Sequence, residues 1–239
     1  MRKNLFLLMT FFLATFTFSS CTFIGPSVKG NGQVSRATRE ITGFTGIEAA
    51  NGLEVFLVPD TREYVVVEAD ENLHEVIETE LKHKTLDIYT HERIRWAKSR
   101  KVYVHFTALE RLESSSGSQV RSESTIMSKS LELKASSGSQ QYLEINSVKF
   151  NGSSSSGAQI HLSGKADRAE LKASSGAHIK GQDFVTKYCI ADVSSGAHIW
   201  IDVQEDFTGE ASSGGHIYYS GNPSQTTINA SSGGAINKH

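Results

Sequence analysis

The sequence predicts an all-β protein: a right-handed parallel β-helix of short coils, preceded by a β-rich N-terminal part. Three observations lead there. The tripeptide Ser-Ser-Gly occurs seven times, ending at Gly117, Gly138, Gly157, Gly176, Gly196, Gly214 and Gly233, with steps of 18 to 21 residues between glycines. A repeat of that period is an architectural signal before it is a functional one. Apolar or small residues alternate with polar ones on both sides of each tripeptide, which is the period of a strand. The 239 residues include twenty glycines but only three prolines, so tight corners are plentiful and breaks in strand pairing are few. Handedness follows from the general rule for parallel crossovers.

In chain order, residues 1–20 read as a signal peptide. Arg2 and Lys3 give a positive start, and Leu5 to Phe18 is an apolar run too short for a membrane span. Ser19-Ser20-Cys21 follows and resembles a bacterial lipobox, with Phe18 where leucine is usual. Cys21 is therefore the expected lipidation site, and the expected location is the cell envelope, anchored to the outer membrane. Cleavage there removes two positive charges and no negative ones, taking the net charge from -2 to -4. Only Cys189 remains as a second cysteine, so an acylated Cys21 leaves no intramolecular disulfide. Residues 21–33, with Gly25, Pro26, Gly30 and Gly32, read as the tether of that anchor.

Residues 34–113 form the β-rich N-terminal part, either the head of the solenoid or a small β domain. Leu53 to Val58 reads as a strand opened by the turn dipeptide Asn51-Gly52 and closed by Pro59-Asp60. Tyr64 to Ala69 and Thr85 to Tyr89 alternate as strands. Leu73 to Leu81 fits a short helix or a strand equally well. The charged stretch His91 to Lys98 reads as a loop around Trp96. Lys101 to Phe106 is a strand with Val102, Val104 and Phe106 on one face.

Ile41-Thr-Gly-Phe-Thr-Gly-Ile47, Asn51-Gly-Leu-Glu-Val-Phe-Leu-Val-Pro59, Val65-Val-Val-Glu-Ala-Asp-Glu-Asn-Leu73 and Leu86-Asp-Ile88, followed by the Ser-Ser-Gly coils, carry a resemblance. Residues 36–239 resemble the bacterial lipoproteins described as putative auto-transporter adhesins with a head GIN domain. The resemblance implies a β-solenoid, a cell-envelope location and an adhesive role.

Residues 114–239 are the coils themselves. Five and three places before each motif glycine the residues are apolar or small, as in Leu171 and Ala173; three places after, they are Val120, Gln141, Ile160, Ile179, Ile199, Ile217 and Ile236. These columns predict two short strands per coil joined by a tight bend, with apolar faces enclosed only when coils stack. The tripeptide is expected to be small because the bend lies close to neighbouring coils, with serine hydroxyls laddering between them. A catalytic serine is a poor alternative, since no strand–elbow–helix context surrounds any of the seven. What caps the last coil is not legible.

Chemistry is sought in the two outward columns. Two places after the glycine stand Gln119, Gln140, Gln159, His178, His198, His216 and Ala235; four places after stand Arg121, Tyr142, His161, Lys180, Trp200, Tyr218 and Asn237. His178, His198, Trp200, His216 and Tyr218 form the candidate ligand surface. A solvated ladder, a glycan or partner surface and a metal row all fit this pattern; metal fits least, because parallel rings do not converge on one ion. No catalytic residue, cofactor or metal is assigned: HExxH, phosphate-loop and paired-cysteine signatures are missing, and no basic run suggests nucleic acid. The expected function is a non-enzymatic envelope protein presenting its solenoid for adhesion. A polysaccharide-processing β-helix enzyme and a purely structural envelope protein are the alternatives. The partners expected are a membrane, through Cys21, and a glycan or cell-surface protein.

Overall fold

The computed structural model describes residues 25–239. The signal-like residues 1–20 and the lipidation candidate Cys21 lie outside the described residues. Nineteen strands follow in order, with one 3-10 turn at Glu71–Leu73. The N-terminal part contributes β1 (Ser27–Lys29), β2 (Val34–Arg39), β3 (Gly46–Ala49), β4 (Glu54–Pro59), β5 (Tyr64–Asp70), β6 (Ile77–Lys82), β7 (Thr85–Thr90), β8 (Arg93–Trp96) and β9 (Arg100–Phe106). The repeats contribute β10 (Arg111–Ser114), β11 (Gln119–Ser122), β12 (Ile126–Ala135), β13 (Gln140–Ser154), β14 (Gln159–Ala173), β15 (His178–Val193), β16 (His198–Ala211), β17 (His216–Ser220), β18 (Gln225–Ala230) and β19 (Ala235–Lys238).

The chain folds as a β-solenoid. From β10 onward each coil pairs in parallel with the next, and the predicted columns are the observed registers. Leu112, Leu133, Gly152, Leu171, Ala191, Gly209 and Ile228 line up five places before the glycines. Ile160, Ile179, Ile199 and Ile217 are wholly buried three places after them. The inward columns of both strands meet in one continuous core from Phe44 to Tyr219, with Phe150, Phe184 and Phe207 as its largest fully buried members in the repeats. Each buried isoleucine or leucine contributes about 1.5–3 kcal/mol. Cys189 sits in this core as a free thiol; burial pushes it up to about 12, so it packs as a small apolar group.

The N-terminal part is built into the same stack. Gly46, Ile47, Glu48 and Ala49 of β3 pair in parallel with β10, and Glu54 to Leu57 of β4 with β11. On their other side β3 and β4 pair in parallel with β7 and β9. The coil of β7 and β9 therefore precedes that of β3 and β4 in the stack although it follows it in sequence. Antiparallel strands close this end: β5 on β9, β2 on β5 and β6 on β7. Arg39 of β2 ties the two sides together by donating to Ile77 O and His74 O, each at 2.8 Å. At the opposite end β18 is exposed throughout, and β18 and β19 each pair with a preceding coil only, among the described residues.

Each corner is a tight turn, and the structure corrects its physical basis. The second serine and the glycine both take positive φ, near 51° and 70° in Ser137-Gly138, the pair required by a hairpin-type turn. The first serine's carbonyl accepts from the residue after the glycine, at 3.1 Å from Ser139 to Ser136. The expected crowding at the glycine is not found: a Cβ on Gly138 or Gly176 would have nothing within 4 Å. Glycine serves the dihedral angle alone. Crowding falls one residue later, at Ser118, Ser139, Ala158, Ala177 and Ala197, all wholly buried. The ladder between corners is made of backbone rather than hydroxyls, as the glycine N–H of each of the first five corners donates to the second serine's carbonyl in the next coil, at 3.1 Å from Gly138 to Ser156.

Three stretches differ from expectation. Of the two readings of Leu73 to Leu81 the strand holds, as β6 after the 3-10 turn Glu71–Leu73, but Leu81 is exposed rather than facing a core; the hairpin turn His83-Lys84, at φ 47° and 66°, pairs β6 with β7. The stretch His91–Lys98 contains β8, which pairs in parallel with β1. That places Ser27–Lys29, inside the segment read as tether, in a strand with Val28 packed on the core. Gly30 and Gly32 are likewise built in. A Cβ on Gly30 would lie 2.1 Å from Asp70 Oδ2, and Gly32 N donates to the same oxygen at 2.8 Å.

Candidate functional site

The surface strand of each coil begins two residues after the corner glycine, and its residues alternate out, in, out. This brings all five candidate residues onto one face. His178, His198 and His216 are in register, as are Trp200 and Tyr218. The His198 ring lies between His178 and His216, 5.2 Å from each by centroid, stacked on His216 and tilted by 55° to His178. Trp200 stacks on Tyr218 at 5.3 Å with planes 12° apart, and His198 on Trp200 at 5.5 Å. All five side chains are half-buried, because each ring covers its neighbours.

This packing alters what the face offers. The rings of His198, Trp200, His216 and Tyr218 lie plane against plane along the stack, and that of His178 is tilted to them. Burial lowers the pKa of His178 and His198, helped by Lys180 for the first and by the flanking imidazoles for the second. Both are therefore neutral near pH 7, each ring carrying one donor and one acceptor nitrogen. His178 Nδ1 is buried with no hydrogen-bond partner. Among the described residues no cluster of three or more His, Cys, Asp or Glu is arranged to hold a metal ion.

The column is longer than sequence reasoning placed it. Tyr103, Phe56 and Arg121 are in register with one another and lead into Tyr142, His161, Lys180, Trp200 and Tyr218. Phe56 stacks on Tyr103 at 4.9 Å, and Tyr142 on His161 at 4.5 Å. The Arg121 guanidinium lies 4.1 Å over the Tyr142 ring, a cation–π contact. Eight coils thus carry one line of aromatic and cationic side chains about 34 Å long at the usual strand spacing. In the adjacent column Gln119 donates to Gln140 at 3.2 Å and Lys180 to Gln159 at 3.2 Å. The signal for the extension was Asn51-Gly52. With φ of 57° and 69° it is an eighth corner, and Phe56 stands four residues after its glycine like the other members of the line.

The opposite face is a charge ladder. Glu113 and Lys134 are neighbours in register and paired at 3.3 Å; Lys172 holds Glu170 at 2.7 Å. Asp192 and Glu210 continue the column in register without a salt bridge among the described residues, and surface pairs of this kind contribute little to stability.

The fold is similar to that of three solved structures. One is a putative adhesin from Bacteroides fragilis, with TM-score 0.83 and 16% identity over 89% of this chain and 100% of that one. A putative adhesin from Parabacteroides distasonis gives 0.73 and 15% over 89% and 100%. One from Parabacteroides merdae gives 0.70 and 16% over 90% and 100%. Identities this low speak for the fold. No curated protein matches the chain in sequence. Residues 43–223, from the head coils through nearly all the repeats, match the family described as putative auto-transporter adhesin, head GIN domain, and the chain belongs to that family.

Proposed function

We propose that this protein is a non-enzymatic adhesin of the cell envelope that holds a glycan or another surface partner along the aromatic and histidine column. The observation that carries this reading is the packed row of His178, His198 and His216 beside Trp200 and Tyr218. A row of packed rings spaced one coil apart suits a repetitive, hydroxyl-rich ligand. Its donors and acceptors are already ordered by stacking, so little side-chain freedom is lost on binding. Family membership supports the adhesive role. Lipid anchoring at Cys21 is part of the same proposal and rests on the sequence Ser19-Ser20-Cys21. It is tested by metabolic labelling with a radioactive fatty acid, which labels the wild-type chain and leaves Cys21→Ser unlabelled.

The binding test is a glycan array. The wild-type solenoid gives a defined set of positive glycans, and Trp200→Ala with Tyr218→Ala removes them while the melting temperature falls only modestly. An array profile unchanged in that double variant would refute the surface.

A further inference from the structure

Across each coil from the Ser-Ser-Gly corner lies a second corner. Four of these, on the coils that contain Met127, Asn146, Lys165 and Val185, line a groove of about 600 Å³. Its floor is the column Ser128, Ser147, Ala166 and Thr186, which are in register. Ser128 Oγ reaches the carbonyl of Ser130 at 2.9 Å, and Thr186 Oγ1 that of Tyr188 at 3.0 Å. Ser147 is only 5% exposed, yet its hydroxyl has no partner among the described residues.

The walls combine two chemistries. Met127, Val148 and Val185, at 66%, 50% and 40% exposure, are three of the eight exposed large hydrophobic side chains of the described residues. Clustering in one groove distinguishes them from single exposed apolar residues, which carry no meaning alone. Lys129, Lys165 and Lys187 line the same groove. Lys187 is paired with Asp167 at 2.8 Å. Lys129 and Lys165 form no salt bridge among the described residues, and in the registered grid they flank Ser147 from the coil on either side. Acidic side chains bound the strip, with Asp202 in register with Val185 and Glu205 near Lys187 on the next coil, and Glu110 before β10 at the other end. The cationic and apolar stretch is therefore four coils long, about 14 Å.

We propose that this groove binds an anionic amphiphile, a molecule with a phosphate or carboxylate head and an apolar chain. The head lies over Ser147 between Lys129 and Lys165, where a turn of χ1 brings the buried, unpaired hydroxyl out as a donor. The chain runs against Met127, Val148 and Val185. The acidic ends limit the ligand to this length and disfavour a long polyanion. This site lies on a different corner from the histidine column, and the two stand or fall separately.

The test is calorimetric titration of the chain from Thr22 onward, which keeps every described residue. Dodecyl phosphate, below its micelle concentration, is compared with inorganic phosphate and dodecyl maltoside. Dodecyl phosphate is expected to bind at least about tenfold more tightly than either of the others, since two lysines near an anion and a buried chain each contribute that much. Lys129→Ala with Lys165→Ala, both at the surface, is expected to lose at least about tenfold in affinity at an unchanged melting temperature. Ser147→Ala serves as a second variant and weakens phosphate-headed ligands alone. Equal binding of inorganic phosphate or of dodecyl maltoside would overturn the proposal, and so would wild-type affinity in the double lysine variant.

Discussion

The corner serine shows how a single residue sets the repeat. In seven corners the second serine sits at φ between 48° and 52°, a region that costs an L-residue roughly 1–2 kcal/mol. Serine's short polar side chain tolerates it where a β-branched apolar one does not. Ser175→Val is expected to lower stability by about 1–2 kcal/mol, whereas Ser175→Asn holds or raises it, both read from chemical denaturation. In the core, Ile179 is wholly buried in mid-stack, and Ile179→Asp places a charge there without a partner. That variant is expected to lose the cooperative melting transition of the wild type. Histidine gives a pH signature. The pKa values of His178 and His198 lie below the ordinary value in the folded chain, so the unfolded chain binds protons first on acidification. Stability from these residues is full above about pH 6.5 and declines below it until the folded-state values are passed. His198→Gln should flatten the melting temperature between pH 7 and 5, and a wild-type slope in that variant contradicts the assignment.

At the scale of elements, the repeats were legible and the head was only partly so. Period-two alternation around Ser-Ser-Gly fixed the strand faces of β13 to β16, because seven copies average out the exceptions. No such averaging exists before residue 114. The hairpin between β6 and β7 turns on His83-Lys84, without the glycine that usually marks such a turn. The pairing of β1 with β8 joins a segment read as tether to one read as loop, and neither carries alternation strong enough to show alone. What holds them is Asp70. It is buried and accepts from Gly32, Lys98 and Ser99 at 2.8, 3.0 and 2.9 Å. Burial by itself raises its pKa, but the three N–H groups, with the Lys98 charge, prevail and hold it below the ordinary carboxylate value. Its stabilisation is present above about pH 4 and is lost as pH falls through the folded-state value. Asp70→Asn is expected to cost about 1–3 kcal/mol at neutral pH and to make the acid limb of the stability curve shallower. An acid limb as steep as that of the wild type would contradict this role.

Across the whole molecule, the outward columns follow from the same stacking that buries the core. Parallel, in-register coils place equivalent residues one above another, so any residue type repeated at one offset from the corner becomes a line on the surface. The candidate residues His178 to Tyr218 were visible in sequence because they share the Ser-Ser-Gly frame. Phe56 and Tyr103 were not, because β3 and β4 enter the stack between β7 and β9 on one side and β10 and β11 on the other, an order that inverts the chain. One line of aromatic and cationic side chains thus runs from the capped end to Tyr218, one coil before the last, while a charged column lies on another face. The most direct measurement of its role compares three double variants on the same glycan array, with folding checked by circular dichroism. Trp200→Ala with Tyr218→Ala alters one end of the line, Phe56→Ala with Tyr103→Ala the other, and Lys134→Ala with Lys172→Ala the charged face. The column predicts loss of the wild-type signal in the first pair, weakening in the second and full retention in the third. Retention in both column variants, or loss in the charged-face variant alone, would contradict it.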